Sequence, residues 1–232
     1  MQRLFTIAGI AALASCMATA AHADAVVFTG SSLGADVQTQ LYNKAGKLVE
    51  QSSWAGPLTL TVGTGAAQHT ISTFCVEYDS FIYLDQKYTD YKIAPVGSAH
   101  GFTTTQDYDL RRLFTLAGVI DTDVKAAAAQ LATWEIMQDS IYSLGAGRFT
   151  ASSDGNSRAL SEGDLALAQA STWLSELGTV SVTDVQLTKY YSPTGQDQVQ
   201  VSFLQQVPEP GSLSLAGAAL VAALGVRRRQ RK

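Results

Sequence analysis

The sequence is poor in cysteine, with two in 232 residues, Cys16 and Cys75. Cys16 falls in an apolar leader, so loss of that leader leaves Cys75 alone and excludes an internal disulfide. A lone thiol in an exported chain marks either a bridge to another chain or a group worth testing for reactivity. Histidine is scarce too, at three. The chain has no zinc-protease helix motif, no nucleophile elbow, no phosphate-cradling loop and no twelve-residue calcium loop. Asp79, Asp85, Asp90, Asp107, Asp109, Asp121 and Asp123 are scattered as on a solvated face. These absences predict no metal, no cofactor and no enzymatic activity.

Positive charge is also short where it would matter. Six of the 16 basic residues and one of the 20 acidic residues lie in the two ends of the chain. The body, residues 24–206, is left with 10 basic against 19 acidic groups, a net charge of −9. A nucleic-acid or anionic-lipid surface needs clustered Lys and Arg, so no nucleic-acid partner is expected. At about 180 residues the body forms one domain or two small ones and buries a core without disulfide staples.

What is present begins with the ends. Arg3 precedes a short apolar run, and Ala21-His22-Ala23 stands before Asp24. These are the parts of a secretory signal peptide, 1–23, whose core is too short for a bilayer span of about 20 residues. Leu13-Ala14-Ser15-Cys16 looks like a lipobox, so lipidation of Cys16 stays open as an alternative. At the other end stand Val207, Pro208, Glu209 and Pro210, then an uncharged stretch over 212–226, then Arg227, Arg228, Arg229, Arg231 and Lys232. An uncharged run backed by basic residues predicts a short transmembrane segment over 212–226 with the body outside. The tail 207–232 resembles the PEP-CTERM sorting signal. That resemblance implies recognition by an exosortase-type protease. It also implies inner-membrane anchoring through the tail before processing, then placement at the cell surface or in an exopolysaccharide-rich matrix.

Along the body, β-branched and aromatic runs predict strands over 25–29, 37–42, 47–53, 57–62, 69–78 and 81–93. The period then changes. Leu110, Leu113, Phe114 and Ala117 share a helical face that Gly118 closes. Asp121 or Thr122 caps an Ala-rich helix running to about Asp139, and Ser161-Glu162-Gly163-Asp164 opens a third helix. Residues 145–156 read as a polar loop between them. Strands over 180–191 and 198–204 flank the turn at Ser192-Pro193-Thr194-Gly195. The expected class is α+β, a sandwich or barrel-like sheet with an inserted helical segment.

Two segments stand out chemically, Phe74-Cys75-Val76 on a strand and Gln130-Leu131-Ala132-Thr133-Trp134 on the central helix. Gln130 lies on a face of small and aromatic residues, so its amide needs a partner. The plain readings are a buried inert thiol and a Gln that caps neighbouring main chain. The two segments are similar to the motifs of bacterial thioester domains of surface adhesins. Thr133 departs from the usual aliphatic residue there, and Ala129 from the frequent Thr. The resemblance implies a thioester between Cys75 and Gln130 that captures a nucleophile on a partner, a surface or matrix polymer bearing a protein amine or a sugar hydroxyl. Tyr78, His69, His100 and Glu135 are candidate neighbours of the pair. A non-covalent structural or carbohydrate-associated matrix protein is the alternative, with Tyr78, Phe81, Tyr83, Tyr88 and Tyr91 as stacking aromatics or as core.

Overall fold

The computed structural model describes residues 25–43, 45–94, 98–153 and 161–204. The signal peptide 1–23, Cys16, the motif at 207–210, the segment 212–226 and the basic cluster to Lys232 lie outside the described residues. Among the described residues no helix is long and apolar enough to cross a membrane.

The strands are β1 (Val26–Gly30), β2 (Ala35–Tyr42), β3 (Leu48–Ala55), β4 (Leu58–Val62), β5 (His69–Cys75), β6 (Lys87–Tyr88), β7 (Lys92–Ile93), β8 (Phe149–Ser152), β9 (Val185–Tyr191) and β10 (Gln198–Phe203). The helices are α1 (Thr104–Ala117), α2 (Asp123–Gln138) and α3 (Glu162–Glu176). A curled antiparallel sheet has the order β6-β1-β4-β5-β10-β9-β7, and a smaller antiparallel sheet has the order β3-β2-β8. The expected succession of strands, helices and strands is therefore present, with one strand inside the helical segment.

Each helix begins where its sequence offers a cap. The Thr103 hydroxyl accepts from the Gln106 N–H, and the Gln106 side chain reaches back to the Thr103 N–H. Ser161 and Asp164 form the same box at α3, and Thr122 caps α2 through the Lys125 N–H. Such caps contribute about 1 kcal/mol each. Helix α2 is buried on every side from Ala126 to Ile136. It has no polar face, the mark of a central helix, and it packs on α1, α3 and strands of both sheets. Its four consecutive alanines leave room for that crowding.

The main core joins the helices to the sheets through Phe74, Leu110, Phe114, Leu131, Trp134 and Phe149. A second cluster, with Phe28, Leu60, Tyr88, Tyr91 and Tyr190, joins the large sheet to the segment 78–94. That segment corrects the expectation of a strand over 81–93. It is irregular apart from the two-residue β6 and β7, and it crosses the sheet with Tyr88 and Tyr91 buried. Phe81 and Tyr83 stay 61% and 67% exposed, so its aromatics split between core and surface. The expected loop 145–156 contains β8, where Phe149 and Ala151 point inward by alternation. Strand β9 begins at Val185, since Leu177–Thr179 forms a 3-10 turn and Asp184 takes a positive φ of 47°.

Candidate functional site

Cys75 is the last residue of β5, where the sheet begins to run out. Pairing between β4 and β5 ends at Leu58 opposite Thr73. Pro57 precedes and has no N–H to continue the ladder. On the other edge, the Val76 N–H still donates to the Asp197 carbonyl. Alternation along a strand then turns the N–H and C=O of Cys75 toward the vacated β4 side. Gln130 fills that place. The Cys75 N–H donates to Gln130 Oε1 at 3.0 Å, and Gln130 Nε2 donates to the Cys75 carbonyl at 2.8 Å. The Gln130 amide behaves as one more peptide group of a missing strand, held by α2. Both residues are buried, Gln130 completely.

The two segments singled out from sequence are therefore brought together across 55 residues of chain. The orientation of the amide carries chemistry as well as support. The Cys75 N–H polarises the Gln130 carbonyl, as an oxyanion-hole donor does, and the hydrogen bond from the amide nitrogen to the Cys75 carbonyl fixes the plane of the amide.

The sulfur has a different partner. Gln198, directly opposite Cys75 in the β5–β10 register, places Nε2 at 3.4 Å from Cys75 Sγ. Its Oε1 accepts from the Thr73 hydroxyl at 3.1 Å, which fixes the NH₂ end toward the sulfur. Burial pushes the Cys75 thiol up to about 12, and the Gln198 hydrogen bond opposes that rise. The resting side chain is a thiol.

Cys75 also lines a cavity of about 240 Å³, with Glu50, Trp54, Tyr78, Phe81 and Trp134 among its walls. Trp54 is seated against Gly34, whose φ of +149° and close approach to the indole leave no room for a side chain. Tyr78 joins its hydroxyl to Thr39 at 2.7 Å and packs edge-on to Trp134 with ring centroids 5.0 Å apart. Burial raises its phenol to about 12, so it is a neutral donor. The indole N–H of Trp134 is buried without a partner.

The other expected neighbours fall elsewhere. His69 stands at the far end of β5, exposed, with Nδ1 near the Ala67 carbonyl. Six residues of strand separate it from Cys75, about 20 Å, so it cannot serve the thiol as a base. His100 stacks on Tyr191 at 4.3 Å. Glu135 faces the loop after α2, where Oε1 accepts from the Ser143 N–H at 2.6 Å. Burial pushes its carboxyl up to about 7. No cluster of three or more His, Cys, Asp or Glu side chains able to hold a metal occurs among the described residues. Gln198 was missed from sequence. The available signal was a Gln on an alternating strand, at a position whose face the hairpin register buries.

Comparison with known proteins bears on the tail. Residues 206–229 match the PEP-CTERM protein-sorting motif. The PEP-CTERM motif covers the Pro-Glu-Pro sequence, the uncharged segment and the first three arginines of the basic cluster. It supports export of the chain, anchoring by its C-terminal region before processing, and sorting by an exosortase-type system. No curated protein and no solved structure matches the chain, so the similarity to thioester domains has no support from those comparisons.

Proposed function

We propose that this PEP-CTERM chain is an exported attachment module rather than an enzyme, and that it joins a surface or matrix polymer through a thioester between Cys75 and Gln130. The observation that carries the reading is the Gln130 amide held against the Cys75 main chain beside a cavity that the same cysteine lines. The reaction balances without a cofactor. Cys75 Sγ loses its proton and attacks Gln130 Cδ, the C–N bond breaks, and the nitrogen leaves as ammonia. A partner amine or hydroxyl later attacks Cδ, forming an amide or ester, and the C–S bond breaks to return the thiol. Burial protects such an acyl group from water until the partner enters.

A second reading rests on the same contact. The Gln130 amide satisfies both main-chain groups of Cys75, a structural task that needs no bond between the side chains. In that case Cys75 is an inert core thiol, and the protein is a non-covalent structural or carbohydrate-associated component of the envelope or matrix. Intact mass separates the two. The thioester reading expects the exported protein to be lighter than its sequence by one ammonia and to add methylamine. It also expects both effects to vanish in Cys75→Ala and Gln130→Ala. A full mass with freely alkylated Cys75 in the unfolded chain leaves the second reading.

A further inference from the structure

We infer that Gln198 stabilises the negative charge that Cys75 must carry, through the hydrogen bond from its Nε2 to the sulfur. The inference deepens the thioester reading and rests on it for its role in the cycle. The geometry is independent of any bond to Gln130. Gln198 is fully buried and lies opposite Cys75 in the hairpin register. The Thr73 hydroxyl holds its carbonyl oxygen, so the amide nitrogen is the end presented to Sγ at 3.4 Å. The same NH₂ group also lies 3.4 Å from the Gln196 carbonyl and from Gln196 Oε1. Its two hydrogens are shared among these three acceptors, and the reversed amide would set its oxygen against the Gln196 carbonyl, so the nitrogen faces the sulfur.

A buried amide aimed at a sulfur has little to do for a resting thiol, because S–H is a weak hydrogen-bonding group. It matters when the sulfur is anionic, and that happens twice. Thioester formation begins with loss of the thiol proton. Capture ends when the C–S bond breaks and sulfur leaves with the electron pair, then takes the proton released by the partner's amine. Among the described residues around Cys75, no cation balances that charge. Lys189 is engaged by Asp197 at 2.8 Å, and Glu50 is the only charged side chain lining the cavity. A neutral donor in a buried site is then the means of favouring the thiolate, and hydrogen bonds to charged groups are the strong ones.

The test is the pH profile of Cys75 alkylation by iodoacetamide in the exported protein, after methylamine has opened any thioester. Gln198→Leu keeps the volume and removes the donor. Thr73→Val keeps Gln198 but frees its amide, and serves if the first variant folds poorly. At every pH below the thiol's own titration, the inference expects the rate in Gln198→Leu to fall about tenfold, as an upward shift of about one pH unit requires, and the rate in Thr73→Val to fall less. It expects methylamine uptake at neutral pH to slow by a similar factor. Equal rates overturn the inference, and so does faster alkylation in Gln198→Leu, the sign that the side chain merely packs the site closed. A wild-type mass lacking no ammonia ends the thioester reading, and the alkylation profile then decides the Gln198 contact by itself. An ammonia deficit that survives Gln130→Ala but disappears in Gln198→Leu would put the acyl group on Gln198 and overturn both assignments.

Discussion

Replacing Gln130 by leucine isolates the energetic worth of the side chain that completes the edge of β5. The variant is best made in a Cys75→Ala background, where no bond between the two side chains can contribute. Leucine fits the space but leaves the N–H and C=O of residue 75 without the contacts of 3.0 and 2.8 Å. Each buried main-chain group that loses its partner costs about 1–3 kcal/mol. Leucine returns roughly 1–2 kcal/mol of apolar burial. The net expected loss is about 1–4 kcal/mol, or roughly 3–15 °C in Tm for a domain of this size. Gln130→Glu sharpens the argument. Its carboxylate keeps an acceptor for the N–H but sets a second oxygen against the carbonyl of residue 75, so this variant should be more stable at acid pH than at neutral pH. Urea unfolding followed by tryptophan fluorescence gives both numbers. A Gln130→Leu loss below about 0.5 kcal/mol would refute the view that the amide stands in for a strand.

Glu135→Gln should flatten the acid-to-neutral stability profile. The unfolded chain loses this proton near 4.5, whereas burial holds it to about 7 in the folded state. The folded protein therefore binds more protons between those values, stability falls as pH rises through that window, and the penalty is complete above it. The gain from Gln, which keeps an acceptor for the Ser143 N–H, should grow across the window to at most about 3 kcal/mol. Urea midpoints at pH 4.5 and 7.5 check it. Gly163→Ala should destabilise by about 1–3 kcal/mol in the same assay, because a methyl group there meets the Asp36 main-chain oxygen and pushes the first turn of α3 off β2.

Some of this molecule is plain in its sequence and some is not, for physical reasons. Helix α2 is legible because its Thr122 cap and alanine run act locally. The β9–β10 hairpin is legible because its turn residues do. The segment 81–93 misleads because aromatic content reports burial, and Tyr88 and Tyr91 achieve burial by crossing a sheet rather than extending one as a long strand. Strand β8 is short enough that only Phe149 and Ala151 betray it among polar neighbours. Cys75 and Gln130 were paired in sequence only through a family resemblance. Their contact depends on β4 stopping at Leu58, a long-range event that no local pattern records. The same holds for Gln198, whose place beside the sulfur is set by strand register.

The most direct measurement is the intact mass of the exported protein before and after methylamine, with Cys75→Ala and Gln130→Ala alongside. The account predicts a mass short by one ammonia, methylamine addition that opens the bond to an N-methyl amide one methylene heavier than the plain sequence, and neither effect in either variant. A mass equal to the plain sequence, unchanged by methylamine, would contradict it and leave the Cys75–Gln130 contact as a structural tie in a protein that carries the PEP-CTERM sorting motif.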